Sequence, residues 1–521
     1  FSFLPALASV FRATRDERYA LAARHYIGAI IRDFGIREGW VPTPFDGATQ
    51  YDIRIEGWLQ ALPALLDSRA FNDAFLDLIL EAVRAKLVYL SGHVYPGRNI
   101  RFLHGEVLMK NGYRLAFLPE AAAWQEQGIR ILNEEFHRQI LPDGAHVEAT
   151  PGYHEVVLHG MVGIWRIARV LPELGLAVTT EAVARMFDYA VASRLPSGAP
   201  VPMHDSIARP GQQPNTVLEH RREFRLLAKL PPDEMPPLRQ CYPDAGQVYL
   251  RDAWNPDATF MAFDATSFGS FHWHPGRNAI HLFAYGRALL TDSGYPFAKP
   301  DFPAYGTLTA HHNTLNLNGW NQARTTARLR YRSAPGYDLV EGFYEGGYWP
   351  FGAGKQGNGS TWALAGHSHG DGIYAEHHRM LLWIHGRFMV VLDNLFCTSE
   401  AGKKPRLESV WQLGAGPAEI DPARRRARTR HADGNLLMLF PLMADGMQMA
   451  LHEGERDPYR GWLALDWGDH YTPAPMIRCY ADNYDPWNAD LATVLVPFAG
   501  AEPPRVEAEE ALREARDELA A

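Results

Sequence analysis

Residues 230–238 read Leu230-Pro-Pro-Asp-Glu-Met-Pro-Pro-Leu238, and the chain follows a different periodicity on each side of them. Four prolines in nine residues remove amide donors and fix φ, so the stretch can continue neither a helix nor the interior of a sheet. Before it, apolar residues recur at three- and four-residue spacing in Tyr19–Phe34, Phe71–Leu90, Ala121–Ile140 and Val156–Val170, as in amphipathic helices. Pro96-Gly97, Pro142-Asp143-Gly144 and Pro151-Gly152 break the series into hairpins. After it come short runs rich in β-branched and aromatic residues: Gln247–Arg251, Ala258–Phe263, Ala279–Tyr285, Met380–Trp383 and Phe388–Val391. The sequence therefore predicts a multidomain α+β chain. A helical domain covers 1–235, an antiparallel β-sandwich covers 236–505, and a charged, helix-prone surface tail covers 506–521. Repeated helical hairpins suit a solenoid or an α/α toroid. No strict repeat period is present, and an incomplete toroid is the preferred reading.

At 521 residues the chain is too long for one core, which agrees with two large domains. No apolar run reaches the roughly 18 residues of a membrane helix, so no membrane span is expected. A net charge of -9 argues against a nucleic-acid partner, although a local basic cleft could still hold an anion. Cys241, Cys397 and Cys479 are odd in number and far apart, which indicates neither a disulfide framework nor a cysteine zinc site. The chain opens at Phe1 without a basic leader region, so it reads as a fragment or mature form; a periplasmic or secreted location is expected, with a cytoplasmic one open. Oligomeric state is not set by the sequence, and a homodimer is compatible with it. Aromatic residues make up 12% of the chain, and flat rings of this kind stack on sugar faces as well as filling cores.

Three segments of the β half concentrate chemistry: Phe271-His-Trp-His-Pro-Gly-Arg-Asn278, Leu289-Leu-Thr-Asp-Ser-Gly294 and Ala310-His-His-Asn-Thr314. In an extended segment His272 and His274 fall on one face, because side chains alternate along a strand. Neighbouring strands could bring Asp292 and His312 to them, and two histidines with one aspartate can form an open zinc shell. In the helical half, Asp143-Gly-Ala-His-Val-Glu-Ala-Thr-Pro-Gly-Tyr-His-Glu155 crowds Glu148, Tyr153 and His154 around a Pro-Gly break. A tyrosine there can act as a general base if a nearby cation or histidine lowers its pKa from about 10. Upstream, Arg98-Asn-Ile-Arg101 with His104, and Arg54, supply groups that pair with a carboxylate.

Taken together these segments resemble the heparinase II/III-like polysaccharide lyases, and the likeness runs through most of the chain. His272-Trp-His and the turn Leu289-Leu-Thr-Asp-Ser-Gly294 look like the family's His-Gly-His segment and its Leu-Leu-x-Asp-x-Gly turn; Ala310–Thr314 looks like its Arg-Ala-His-Asn-Thr. Asp143-Gly through Glu148 to Tyr153-His154 is similar to the stretch carrying the family's catalytic tyrosine, and residues 99–120 look like the helix with its carboxylate-neutralising asparagine or histidine. The resemblance implies an α/α toroid followed by an antiparallel β-sandwich, with β-elimination at a uronic acid of an acidic polysaccharide across the domain cleft. It implies that Asn99, aided by Arg101, neutralises the carboxylate, that Tyr153 and His272 transfer protons, and that Tyr305 is a second proton donor. Arg54, Arg101, His104, Glu148 and His154 would bind substrate, and His274, Asp292 and His312 would hold a structural zinc; Trp273, at a position where the family differs, could stack on sugar, narrow the site or pack on the opposite face. Trp273 stands where the family has glycine, and Pro275-Gly276 where it has Ala-Asp. Two other readings stand beside this one. An α/α-scaffold glycoside hydrolase would need a carboxylate pair, for which Glu148 and Glu155 are the candidates. A non-catalytic glycan-binding protein would keep the scaffold alone.

Overall fold

The computed structural model describes all residues except 1–2, 42–49, 208–215, 232–234, 267–271, 296–305, 324, 326, 351–371, 399–403, 465–470, 485–487 and 521. Its helices are α1 (Phe3–Thr14), α2 (Glu17–Asp33), α3 (Gln50–Leu65), α4 (Asp73–Gly92), α5 (Arg98–Arg114), α6 (Ala121–Gln139), α7 (Pro151–Val170), α8 (Thr180–Ala192), α9 (Thr216–Leu227) and α10 (Ala508–Ala520). Their limits follow local chemistry. Asp16 and Asn72 cap α2 and α4 by accepting from the Arg18 and Phe75 amides, and Pro151 opens α7, where its missing amide costs nothing.

The chain forms two compact units, Phe1–Ile140 with His159–Thr180, and Leu141–Leu158 with Glu181–Ala521. In the first unit, apolar faces of α1 to α6 bury Phe11, Ile27, Trp58, Ile79, Leu108 and Trp124 in one core. α5 and α6 meet along a glycine seam: a Cβ on Gly128 would lie 2.3 Å from the Met109 amide nitrogen, and one on Gly112 would lie 2.5 Å from the Ala121 carbonyl. Close approach of the two backbones thus depends on residues without side chains.

In the second unit, β1 (Arg239–Tyr242), β2 (Gln247–Arg251), β3 (Phe260–Asp264), β4 (Ala279–Ala284) and β5 (Arg287–Leu290) make an antiparallel sheet in sequential order. An eight-stranded antiparallel sheet includes Tyr337–Glu345, Tyr374–Ile384, Phe388–Thr398 and Ala489–Phe498, and a four-stranded one includes Leu315–Leu317 and Leu407–Gln412. Val248, Met261 and Ile280 of the first sheet, Leu381 and Val391 of the second and Trp411 of the third share one core, as in a sandwich. The opposite face of β2 to β4 is buried as well. Tyr249, Phe260, Ala262 and Phe283 pack on Ala145, Ala149, Tyr189 and Met203. This double burial gives these strands continuous apolar runs instead of alternation, and it makes residues 141–158 and α8 part of the β unit, upstream of the proline-rich stretch at which the sequence reading divides the chain.

Deep in the sandwich Arg379 pairs with both oxygens of Asp393, at 2.6 and 2.9 Å, and donates to the Asn278 and Asn313 carbonyls. His377 meets the same carboxylate at 2.7 Å. This network fixes the ends of the two histidine-bearing segments against the large sheet. The C-terminal segment is helical as expected, but it is no loose surface tail. Ala511 and Ala515 are buried against Leu382, Phe388, Val390 and Val496, because small residues one turn apart let α10 lie flat on the sheet.

Candidate active site

The segment from Asp143 to α7 is anchored through its polar groups. Asp143 accepts from the amides of Ala145, Asp244 and Ala245, clamping the loop to the β1–β2 turn. His154 is fully buried: its Nδ1 accepts from the His146 amide and its Nε2 donates to the Met186 carbonyl at 2.9 Å. With both ring nitrogens on backbone partners it shapes the loop, and the substrate contact expected of His154 is corrected to a structural role. Burial holds its pKa down at about 4, so it stays neutral.

The segment Met203-His-Asp-Ser206, which follows α8, meets this loop and the His272–His274 segment. Ser206 Oγ accepts from the Gly152 amide at 2.9 Å, the Asp205 amide donates to the His272 carbonyl at 3.2 Å, and His204 Nδ1 accepts from the His274 amide at 3.2 Å. His204 adopts φ 55°, a left-handed conformation that turns the chain so that Asp205 faces the histidines. Its Nε2 lies 3.3 Å from Asp264, whose carboxyl is held down near 2: burial opposes this, and His204 and Thr266 overcome it.

Residues 272–275 are irregular and not a strand, yet His272 and His274 still converge on one group. His272 Nδ1 lies 2.6 Å from Asp205 Oδ2 and His274 Nε2 lies 2.7 Å from Asp205 Oδ1. Burial would raise the Asp205 pKa, but the two imidazole hydrogen bonds outweigh it and keep the carboxyl below its ordinary value. A carboxylate facing Nδ1 is the arrangement that favours an imidazole proton on that nitrogen. Nε2 is 4.0 Å from Glu148, a fully buried residue. The phenol ring of Tyr153 stacks on His272, centroids 3.6 Å apart and planes at 18°. Burial, with the nearby Asp205, Tyr295 and Glu148, raises the Tyr153 pKa well above 10. This direction is opposite to the lowering that a general-base role for Tyr153 would need.

Trp273 faces the other way. Its ring is buried, and the Arg277 guanidinium lies 4.2 Å from the ring centroid, so sugar stacking by Trp273 is corrected to core packing. In the first unit Asn99 sits in the first turn of α5, nearly buried. Arg101 pairs with Glu135 at 3.0 Å and also with Glu134, buried His104 accepts from the Tyr95 amide, and the Arg54 guanidinium lies over Phe34. Tyr305 lies outside the described residues. Glu155 pairs with Arg194 at 2.6 Å.

His312 Nδ1 donates to Asp292 Oδ2 at 2.7 Å, while Oδ1 of the same carboxylate accepts from the Gly294 amide. The His274 and His312 rings lie 5.6 Å apart. Among the described residues no group of three or more His, Cys, Asp or Glu stands where it could hold a metal, so the three-residue shell of His274, Asp292 and His312 is not assembled; Asp292 instead accepts from His312 Nδ1 and from the Gly294 amide. What does fit a metal is the donor chemistry of two imidazoles. Among the described residues His274 Nδ1 and His312 Nε2 are buried and find no hydrogen-bond partner, and the opposite nitrogen of each ring rests on a carboxylate. That is the usual backing of metal-bound histidine.

His204, Asp205 and Ser206 escaped the sequence reading, as did Tyr295, whose ring lies 5.8 Å from His274. The available signal was an acid beside a histidine in a loop between helices, a place where functional groups concentrate.

Residues 1–225 match the family described as Heparinase II/III N-terminus, and residues 234–475 match Heparinase II/III-like, C-terminal. A heparin-sulfate lyase of Pedobacter heparinus is 22% identical over 500 residues, covering 86% of this chain and 67% of that protein. One of Bacteroides thetaiotaomicron is 23% identical over 389 residues, covering 65% of this chain and 53% of that protein, so this chain spans about half to two thirds of these relatives' lengths. Among solved structures, the crystal structure of heparinase III aligns with TM-score 0.78 at 18% identity, covering 96% of this chain and 76% of that one. A heparan sulfate lyase from Pedobacter heparinus aligns with TM-score 0.68 at 20% identity and the same coverage. These likenesses carry the expected fold, an α/α toroid followed by an antiparallel β-sandwich. With its two halves matched in order by the two parts of one family, the chain belongs to the heparinase II/III-like family.

Proposed function

We propose that this protein is a polysaccharide lyase that cleaves a uronate-containing acidic glycan by β-elimination. The single observation that carries the reading is the stacking of the Tyr153 phenol on the His272 imidazole, whose Nδ1 lies 2.6 Å from the Asp205 carboxylate. The proton at C5 of a uronate is weakly acidic, so the reaction needs a base for that proton, an acid for the departing oxygen and a partner for the carboxylate. His272 Nε2 takes the C5 proton. The C5–H electron pair becomes the C4=C5 double bond, the C4–O bond breaks, and the Tyr153 phenol gives its proton to the leaving oxygen. Solvent returns His272 and Tyr153 to their starting states. Asn99 is the proposed partner of the uronate carboxylate, with Tyr305 as a second donor, whereas Arg101, paired with Glu134 and Glu135, would have to leave them to help.

His274 and His312 would hold a zinc ion, backed by Asp205 and Asp292. Its contribution is to brace the segment that presents His272, and no step passes through it. Names of the relatives point to heparan-sulfate-type glycosaminoglycans as the first substrates to test. Incubation with heparan sulfate, hyaluronan, chondroitin sulfate and alginate, followed by ultraviolet absorbance of the unsaturated uronyl product, is the test. Absorbance should rise on at least one glycosaminoglycan, and silence on all four would sink the reading. The hydrolase alternative gains no support, since Glu155 is tied to Arg194 and Glu148 is fully buried.

A further inference from the structure

The carboxylate of Asp205 touches both histidines of the His272-Trp-His274 segment, through a different oxygen each. We propose that Asp205 is a positioning residue for the elimination, fixing His272 in the tautomer with its proton on Nδ1 and tying that ring to His274. The catalytic part of this inference rests on the lyase reading above; the tautomer part does not.

Three backbone-directed bonds already hold this region together without the carboxylate. They are the Asp205 amide to the His272 carbonyl, the His274 amide to His204 Nδ1, and the Gly152 amide to Ser206 Oγ. Among the described residues the side-chain hydrogen bonds of Asp205 Oδ1 and Oδ2 go to the two imidazoles, and removing the charge need not dissolve the loop. The other carboxylate near the ring, Glu148, stands 4.0 Å from Nε2, beyond hydrogen-bond range, whereas Asp205 stands 2.6 Å from Nδ1. Geometry thus selects one tautomer. A neutral imidazole with its proton on Nε2 would present an N–H, not a lone pair, to the C5 proton, and could not act as base. The contact at His274 adds a second consequence. The Nε2 proton of that ring is drawn to Asp205, which leaves Nδ1 as its lone-pair nitrogen, so one carboxylate orients both the reacting ring and its bracing neighbour.

The experiment uses the full chain with 15N-labelled histidine. Signals of His272 are identified by their loss in His272→Gln, and long-range N–H correlations report which nitrogen carries the proton. Wild type should show His272 protonated on Nδ1, and Asp205→Asn should shift it to Nε2 or to a mixture. In turnover of a cleaved glycuronan, Asp205→Asn should lower kcat by on the order of 10³-fold with KM within about twofold, while near-ultraviolet circular dichroism stays as in wild type. Wild-type His272 protonated on Nε2 overturns the proposal without any variant having to fold. So does an unchanged tautomer in a folded Asp205→Asn, or an unchanged kcat. If the wild type cleaves no glycuronan, the lyase reading fails, while the tautomer measurement still decides what Asp205 does.

Discussion

The imidazole of His272 lies flat on the phenol of Tyr153, with ring centroids 3.6 Å apart. Stacking fixes two proton carriers side by side without a hydrogen bond between them, so each can face a different atom of one substrate. Tyr153→Phe keeps the ring and removes the proton. It should cut kcat by about 10²- to 10⁴-fold and change the melting temperature little, because the phenol contributes no hydrogen bond on which the loop depends. Product absorbance and a thermal melt measure both, and a Phe variant with wild-type turnover would remove Tyr153 from the chemistry.

A second prediction concerns the two buried nitrogens without partners, His274 Nδ1 and His312 Nε2. Unsatisfied buried polar atoms are costly, at about 1–3 kcal/mol each, and a bound cation would satisfy both. Metal analysis of purified protein should give about one zinc per chain. His312→Ala should abolish it and lower the melting temperature, and chelation should lower the wild-type melt toward that of the variant. A metal-free wild type with an unchanged melt after chelation would count against the brace.

Much of this was legible in the sequence. Helical periodicity, the proline-rich stretch and the β-branched runs mark the class of each half, because burial of one face imposes a period. Tyr153 and His272 were singled out, and they meet. The boundary of the compact units was not legible, because the packing of Tyr189 and Ala149 on Phe260 joins residues distant in sequence. Asp205 was missed for the same reason: it lies 67 positions from the histidine it orients, and no local pattern carries that pairing. For Trp273 the sequence leaves sugar stacking and packing both open, and only the Arg277 guanidinium over the buried ring decides for packing.

Gly276 gives a third prediction. A Cβ there would sit 2.8 Å from His312 Cγ and 2.9 Å from its Cδ2, closer than packed atoms come. This explains why a glycine occupies the position in this chain. Gly276→Ala should displace the His312 ring at a cost of about 1–3 kcal/mol, read as a lower melting temperature together with lower zinc content. A variant that melts and binds zinc like wild type would show that the ring can move freely.

The buried cluster of Asp393, Arg379 and His377 gives a prediction for the pH dependence of stability. Burial alone would raise the Asp393 pKa, but the Arg379 guanidinium and the His377 hydrogen bond hold it far below the ordinary range. For a carboxylate lowered in the folded state, the stabilisation is complete above the unfolded value near 3.9 and is lost as pH falls below it. Burial also lowers the pKa of His377, and it holds His281 and His154 at about 4 and His146 at about 3. Below the unfolded histidine value of about 6.5 the unfolded chain therefore takes up protons that the folded chain refuses, which again favours unfolding. Both effects have the same sign. Denaturant midpoints should be flat above about pH 7, decline from there and fall steeply below about pH 4. Arg379→Met, which strands the Asp393 charge, should cost about 3–5 kcal/mol at neutral pH, and Asp393→Asn in the Arg379→Met background should recover part of that loss. If the double variant were no more stable than Arg379→Met, the stranded carboxylate would not be the cause.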